Sequence, residues 1–149
     1  MTKGALLASG MLVLVSLSGC ADQTEKYCST LEDDKQALTD LAKNADEPGS
    51  DLFGESLAVF EELRDEAPDD VADEWDTFVF AWQGLADAFD EAGVDPGEYQ
   101  PGKKPPGVSD EEAKAIEGAA LELASPRVAD AGDGIEQHAR DVCKVDLGL

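Results

Sequence analysis

Apolar positions recur at helical spacing along most of the chain. The clearest run is Val71, Trp75, Phe78, Trp82, Leu85 and Phe89, which follow one another by four or three residues. That spacing lays one stripe along an α-helix. This stretch also holds five of the seven Phe and Trp residues, so it is expected to be the centre of the core. A first helix is predicted from Tyr27, with Leu31, Leu38, Leu41 and Ala45 on its stripe and Glu47-Pro48-Gly49 as its stop. A second runs from Asp51 to Glu66 behind a Ser50 or Asp51 cap, with Phe53, Leu57, Phe60 and Leu63 facing inward. Pro68, Asp69 and Asp70 suit the start of the third, and Gly93 followed by Val94 suits its end. Ser109 with Glu112 is a capping box that opens a fourth helix, with Ile116, Ala120 and Leu123 on its face. Ser125-Pro126 divides it from a fifth, whose stripe is Val128, Ala131, Ile135, His138 and Val142.

Between the third and fourth helices lies a segment of different character. Pro96 to Gly107 holds four prolines, three glycines and the adjacent pair Lys103-Lys104. No regular element fits there. The other connections are short, which favours antiparallel neighbours. No alternating run of strand length stands out. The expected fold is all-α, a small bundle of about five antiparallel helices.

Charge narrows the range of partners. The chain carries 34 acidic and 11 basic side chains, for a net charge of −23. Phosphate recognition needs a basic face, so nucleic acid is not an expected partner.

The N-terminus supplies an address. Lys3 precedes an uncharged, mostly apolar run from Gly4 to Gly19. As a helix that run spans about 24 Å, short of the roughly 30 Å hydrocarbon core. A positive start, a short apolar run and small residues at its end read as a secretory signal. The run closes on Leu17-Ser18-Gly19-Cys20, which resembles the lipobox of bacterial lipoproteins. The resemblance implies cleavage before Cys20 and a lipid on its thiol. Residues 1–19 are then a lipoprotein signal, 20–26 a polar lipidated tether and 27–149 a helical bundle domain. A two-chain lipid anchors stably, so the expected location is the outer face of the cell membrane. Cleavage removes Lys3 and no acid, leaving a body that an anionic membrane surface repels.

Setting Cys20 aside leaves Cys28 and Cys143. In a compartment that permits disulfides, an even pair near the two ends of a domain is most simply one bridge. Two free thiols are the alternative. A metal site with His138 is the weaker one, because His138 and Cys143 point about 140° apart on an ideal helix.

Together the lipobox, Tyr27-Cys28, the acid-rich amphipathic helices and the late Cys143 resemble small helical lipoproteins of high-GC Gram-positive bacteria. That resemblance implies an address and carries no activity.

Candidate chemistry is sparse. His138 is the sole histidine and lies on an apolar stripe, where packing is the commoner role than general base catalysis. Glu32, Asp33 and Asp34 fan out by about 100° per residue, and Asp130 to Gly134 lacks the calcium-loop order. Gly54-Glu55-Ser56-Leu57-Ala58 imitates a serine elbow without its final glycine and falls inside a helix. Gly132 and Gly134 interrupt the fifth helix, which points to close packing against the bulky third one, with a kink near a ligand site as the lesser alternative. Phe80 lies opposite the main stripe of the third helix. It is either covered by a neighbouring segment or an exposed anchor for a partner. The Pro96–Gly107 segment is either a stiff crossover or a site in which Tyr99, Lys103 and Lys104 form a positive aromatic spot for an acidic partner or anionic ligand. The expected function is a membrane-anchored, non-enzymatic binding or interaction module without cofactor or metal. A small-molecule or weak metal-ion carrier is the alternative, and a carboxylate-based enzyme the remoter one.

Overall fold

The computed structural model of the chain describes residues 18–43 and 52–147. The apolar run up to Leu17, the Glu47-Pro48-Gly49 stop and the Ser50/Asp51 cap lie outside those residues, as do the side chains of Cys20 and Leu41. Five α-helices follow one another: α1 (Ser18–Lys43), α2 (Leu52–Glu66), α3 (Ala72–Ala92), α4 (Asp110–Leu123) and α5 (Pro126–His138). A 3₁₀ turn at Pro96–Glu98 follows α3, and α5 runs on into a π-helical turn at Ala139–Cys143. No strand occurs among the described residues.

The aromatic-rich α3 is the hub. It packs against α2 on one side and α4 and α5 on the other, while α1 lies on α2 and the π turn. Its N-terminal half, through Trp75 and Val79, joins Tyr27, Leu31, Phe60, Leu63, Ile135 and Ala139 in the larger apolar cluster. Its C-terminal half, through Leu85, Ala88 and Phe89, meets Ile116 of α4 in a smaller one. Burying one such large side chain contributes about 1.5–3 kcal/mol. Phe60 ties α2 to α3 through three rings, packing on Trp75, Phe78 and Trp82.

Local signals place the helix ends. Gly93 takes the left-handed conformation at φ 62°, and the Val94 N–H reaches back to the Phe89 carbonyl at 2.9 Å. A left-handed turn favours glycine there. At α4 the capping box is complete: the Ser109 N–H donates to Glu112 Oε2 at 2.8 Å, and the Glu112 N–H donates to Ser109 Oγ at 3.2 Å. Ser125 caps α5 and Pro126 fills its first position. The α3 start falls a little later than expected. Pro68 to Val71 form a turn, with the Val71 N–H on the Pro68 carbonyl, and the first-turn acids are Asp73 and Glu74.

Two expectations are corrected. Residues 21–26 are not a tether but the opening turns of α1. They dock on the end of α2: the Gln23 side chain donates to the Ala67 carbonyl at 3.0 Å, and Lys26 pairs with Glu66 at 2.6 Å. Carbonyls just past a helix end need such donors. The second correction is Val142, assigned to the apolar stripe of the fifth helix yet 44% exposed. In the π turn each bond spans five residues instead of four, which resets the angle of everything that follows. The same turn brings both His138 and Cys143 to face α1, where an ideal helix would splay them.

Cys28 and Cys143 are joined by a disulfide, with Cα atoms 5.0 Å apart. Lys144 then turns the chain in the left-handed conformation, and Val145 packs back into the core.

Both interrupting glycines of α5 face α3. A Cβ on Gly132 would sit 3.7 Å from the Phe78 ring, and one on Gly134 would sit 2.9 Å from Glu74 Cγ. The second distance is closer than carbon atoms tolerate, so a side chain at 134 would have to displace that of Glu74.

Candidate functional site

The four residues expected at a contact surface fall into two places. Phe80 is 70% exposed on the outer side of α3, so no neighbouring described segment covers it. The shallow depression around it is lined by Arg64 of α2, Asp76, Thr77 and Gln83 of α3, and Arg127 of α5. Two of the chain's three arginines thus flank one exposed aromatic ring. Each is held by a carboxylate: Arg64 lies on Asp65 at 2.9 Å, and Arg127 pairs with Glu122. Gln83 donates to Glu61 at 2.6 Å and fixes the α2 side of the rim.

Tyr99, Lys103 and Lys104 come together in a separate pocket of about 310 Å³. The first turns of α4 close it and add Asp110, Lys114 and Glu117. Tyr99 is half-buried, with its ring set edge-on to Phe89 at 5.2 Å, so the smaller core cluster supports the pocket wall. Lys104 pairs with Asp110 at 2.5 Å, and that ammonium group holds the Asp110 carboxyl below its usual range. Lys103 donates to the neutral amide oxygen of Gln100 at 2.7 Å.

His138 is partly buried, its side chain 9% exposed, beside the Tyr27 ring. Its Nε2 comes within 3.4 Å of Asp70 Oδ2, but neither ring nitrogen has an aligned hydrogen bond. The neighbouring Trp75 Nε1 donates to the Tyr27 hydroxyl at 2.8 Å. Burial pushes the Tyr27 phenol up to about 12, with the Trp75 bond opposing and the Asp70 charge adding to it. A phenol of that kind stays protonated near neutrality and packs rather than transferring protons. Ser56 lies inside α2.

Acidic groups meet across α1 and α2. Asp34 turns toward α2 while Glu32 and Asp33 face solvent. Partial burial raises the Asp34 carboxyl above its usual range, and Glu62, Asp33 and Glu66 reinforce the effect. Glu66 is shifted the other way, by hydrogen bonds from Lys26 and Thr30. Among the described residues, no three His, Cys, Asp or Glu side chains converge as a metal site requires. Nor is any described helix long and apolar enough to cross a membrane.

Sequence reasoning missed Arg64, Arg127 and Lys114. Arg64 and Arg127 come from elements distant in sequence from Phe80, and Lys114 from the helix that follows the Lys103-Lys104 loop; nothing in the local pattern marks them. No family model, curated protein or solved structure matches the chain.

Proposed function

We propose that this chain is an extracytoplasmic lipoprotein, held at the outer face of the membrane by a lipid on Cys20, and that it works as a non-enzymatic interaction module. The observation that carries the second half is Phe80. Every other Phe and Trp is buried or packed on another ring, whereas Phe80 faces solvent between Arg64 and Arg127. Aromatic and arginine side chains are enriched where binding energy concentrates in protein interfaces. The apolar N-terminal run and the Leu17–Cys20 motif support the anchor, and the disulfide accords with a compartment that permits such bonds.

The test has two arms. Mass analysis of the N-terminal peptide, with fractionation of Cys20→Ser, reads the anchor. A lipidated Cys20, and release of the variant from membranes, is the expected result; an unmodified thiol overturns it. The interaction is read in intact cells with a photo-crosslinking residue at position 80 or, separately, at the exposed position 142. An adduct formed from position 80 alone, and lost on Arg127→Glu, is expected. Equal labelling from both positions overturns the assignment of the contact to Phe80.

A further inference from the structure

We infer that the pocket beside Tyr99 is a binding site for a small organic monocarboxylate with an aromatic or aliphatic body, distinct from the Phe80 contact and independent of it. Three of the chain's eleven basic residues, Lys103, Lys104 and Lys114, surround this one cavity in a strongly acidic protein. Two carboxylates, Asp110 and Glu117, share the lining. Within the lining, three ammonium groups face two carboxylates, and the Glu112 carboxylate just beyond it is engaged by the Ser109 N–H; that balance suits a singly charged ligand better than a phosphate.

The cations are not equally committed. Lys104 is neutralised by Asp110. Lys103 holds only an uncharged amide, and Lys114 makes no ion pair among the described residues. Those two lysines are therefore the ones left to meet a carboxylate. Tyr99 with Pro105 and Ala113 supplies the apolar surface on which the ligand's body rests. The cavity, about 310 Å³, lies at the small end of ligand pockets, which begin near 300 Å³.

Two features make the site prebuilt. Tyr99 is braced by Phe89 from below, and α4 is fixed at its start by the Ser109–Glu112 box. The cleft on the other side of Lys103 and Lys104 is lined by Asp95 and Glu98, so a carboxylate has reason to enter on the Tyr99 side. The protein's distant acids do not forbid it, because at physiological salt their field decays over about 8 Å.

The experiment uses the full-length chain in detergent, with its lysines reductively dimethylated by ¹³C-formaldehyde and a borane reductant so that each ammonium keeps its charge and gives its own NMR signal. The probes are 3-phenylpropanoate, its uncharged amide and acetate. The expected result is saturable shifts of the Lys103 and Lys114 signals with 3-phenylpropanoate. Lys26 and Lys144, tied to Glu66 and to the Asp141 carbonyl, stay still. The amide leaves all signals unmoved, and acetate binds at least tenfold more weakly. Tyr99→Ala weakens 3-phenylpropanoate about tenfold, and Lys103→Gln with Lys114→Gln removes binding while the Lys26 signal stays at its folded position. Equal binding of the amide, equal binding of acetate, or shifts of all lysines in step would each overturn the site. None of these outcomes bears on crosslinking at Phe80.

Discussion

Trp75 and Tyr27, 48 residues apart, are joined by a fully buried hydrogen bond from the indole N–H to the phenol oxygen at 2.8 Å. Both side chains are closed to solvent, and Tyr27 adjoins the disulfide-bonded Cys28. Tyr27→Phe keeps the ring but strands the indole N–H. An unsatisfied buried donor costs about 1–3 kcal/mol. Urea denaturation is expected to show that loss. Trp75→Phe in the Tyr27→Phe background is expected to cost less than Trp75→Phe alone, because the donor has already lost its acceptor.

The same phenol makes stability depend on alkaline pH. Its folded value of about 12 lies above the ordinary tyrosine value of about 10. The folded state therefore holds its proton where the unfolded state has lost it. This contribution is whole below pH about 10 and falls as pH rises toward about 12, by about 1.4 kcal/mol per pH unit. Denaturation midpoints across that window are expected to decline more steeply in the native protein than in Tyr27→Phe, which isolates this group from the lysines and Tyr99.

Asp34 acts in the opposite sense to a paired carboxylate. Its folded value is raised, so its ionised form is disfavoured in the folded state and its penalty appears as pH rises through that value. Asp34→Asn is expected to stabilise the protein at pH 7 by about 0.5 kcal/mol, the scale of a single exposed charge interaction. The gain should vanish in acid, where Asp34 is protonated. Equal gains at pH 7 and pH 3 would contradict this account.

Cleaving the disulfide tests how far the cores hold the fold alone. Cys28 and Cys143 are 115 residues apart in sequence. Closing so long a loop is worth about 4–5 kcal/mol by the chain-entropy argument. Calorimetry on Cys28→Ala/Cys143→Ala is expected to show a Tm lowered by about 8–20 °C, given about 2–4 °C per kcal/mol for a chain of this size.

Gly134 sets two effects against each other. Alanine is favoured in a helix interior by about 1 kcal/mol, but its Cβ would lie 2.9 Å from Glu74 Cγ. Gly134→Ala alone is expected to be neutral or destabilising. In a Glu74→Ala background the collision is gone, and the same change should stabilise by about 0.5–1 kcal/mol in urea denaturation.

The elements legible in the sequence were those written locally. The α3 stripe, the Ser109–Glu112 box, the Gly93 turn and the Ser125-Pro126 junction each declare themselves within a few residues. The Cys28–Cys143 bridge was legible too, because setting Cys20 aside left one pair. The start of α1 was not, since residues 21–26 hold no apolar periodicity and owe their packing to Ala67 and Glu66. The π turn was invisible as well: it widens a helix without a proline or glycine to mark it, and it moves Val142 into solvent. At the candidate sites, Tyr99, Lys103 and Lys104 stood out as neighbours in the chain. Lys114, Arg64 and Arg127 join their sites only through the way α2, α4 and α5 pack around α3.

The ring closed by Cys28 and Cys143 also has a mechanical side. Phe80 lies within that ring, so a pull between α1 and Phe80 travels along two backbone arms. One runs forward from Cys28 through α2; the other crosses the sulfur–sulfur bond and runs back through α5 and α4. The arms share the load, and neither can peel away without straining the other. Residues 21–26 lie ahead of the ring, on a single strand of backbone. Tension from the N-terminal end therefore acts first on those opening turns of α1 and their hold on Ala67 and Glu66, and reaches the ring only at Cys28.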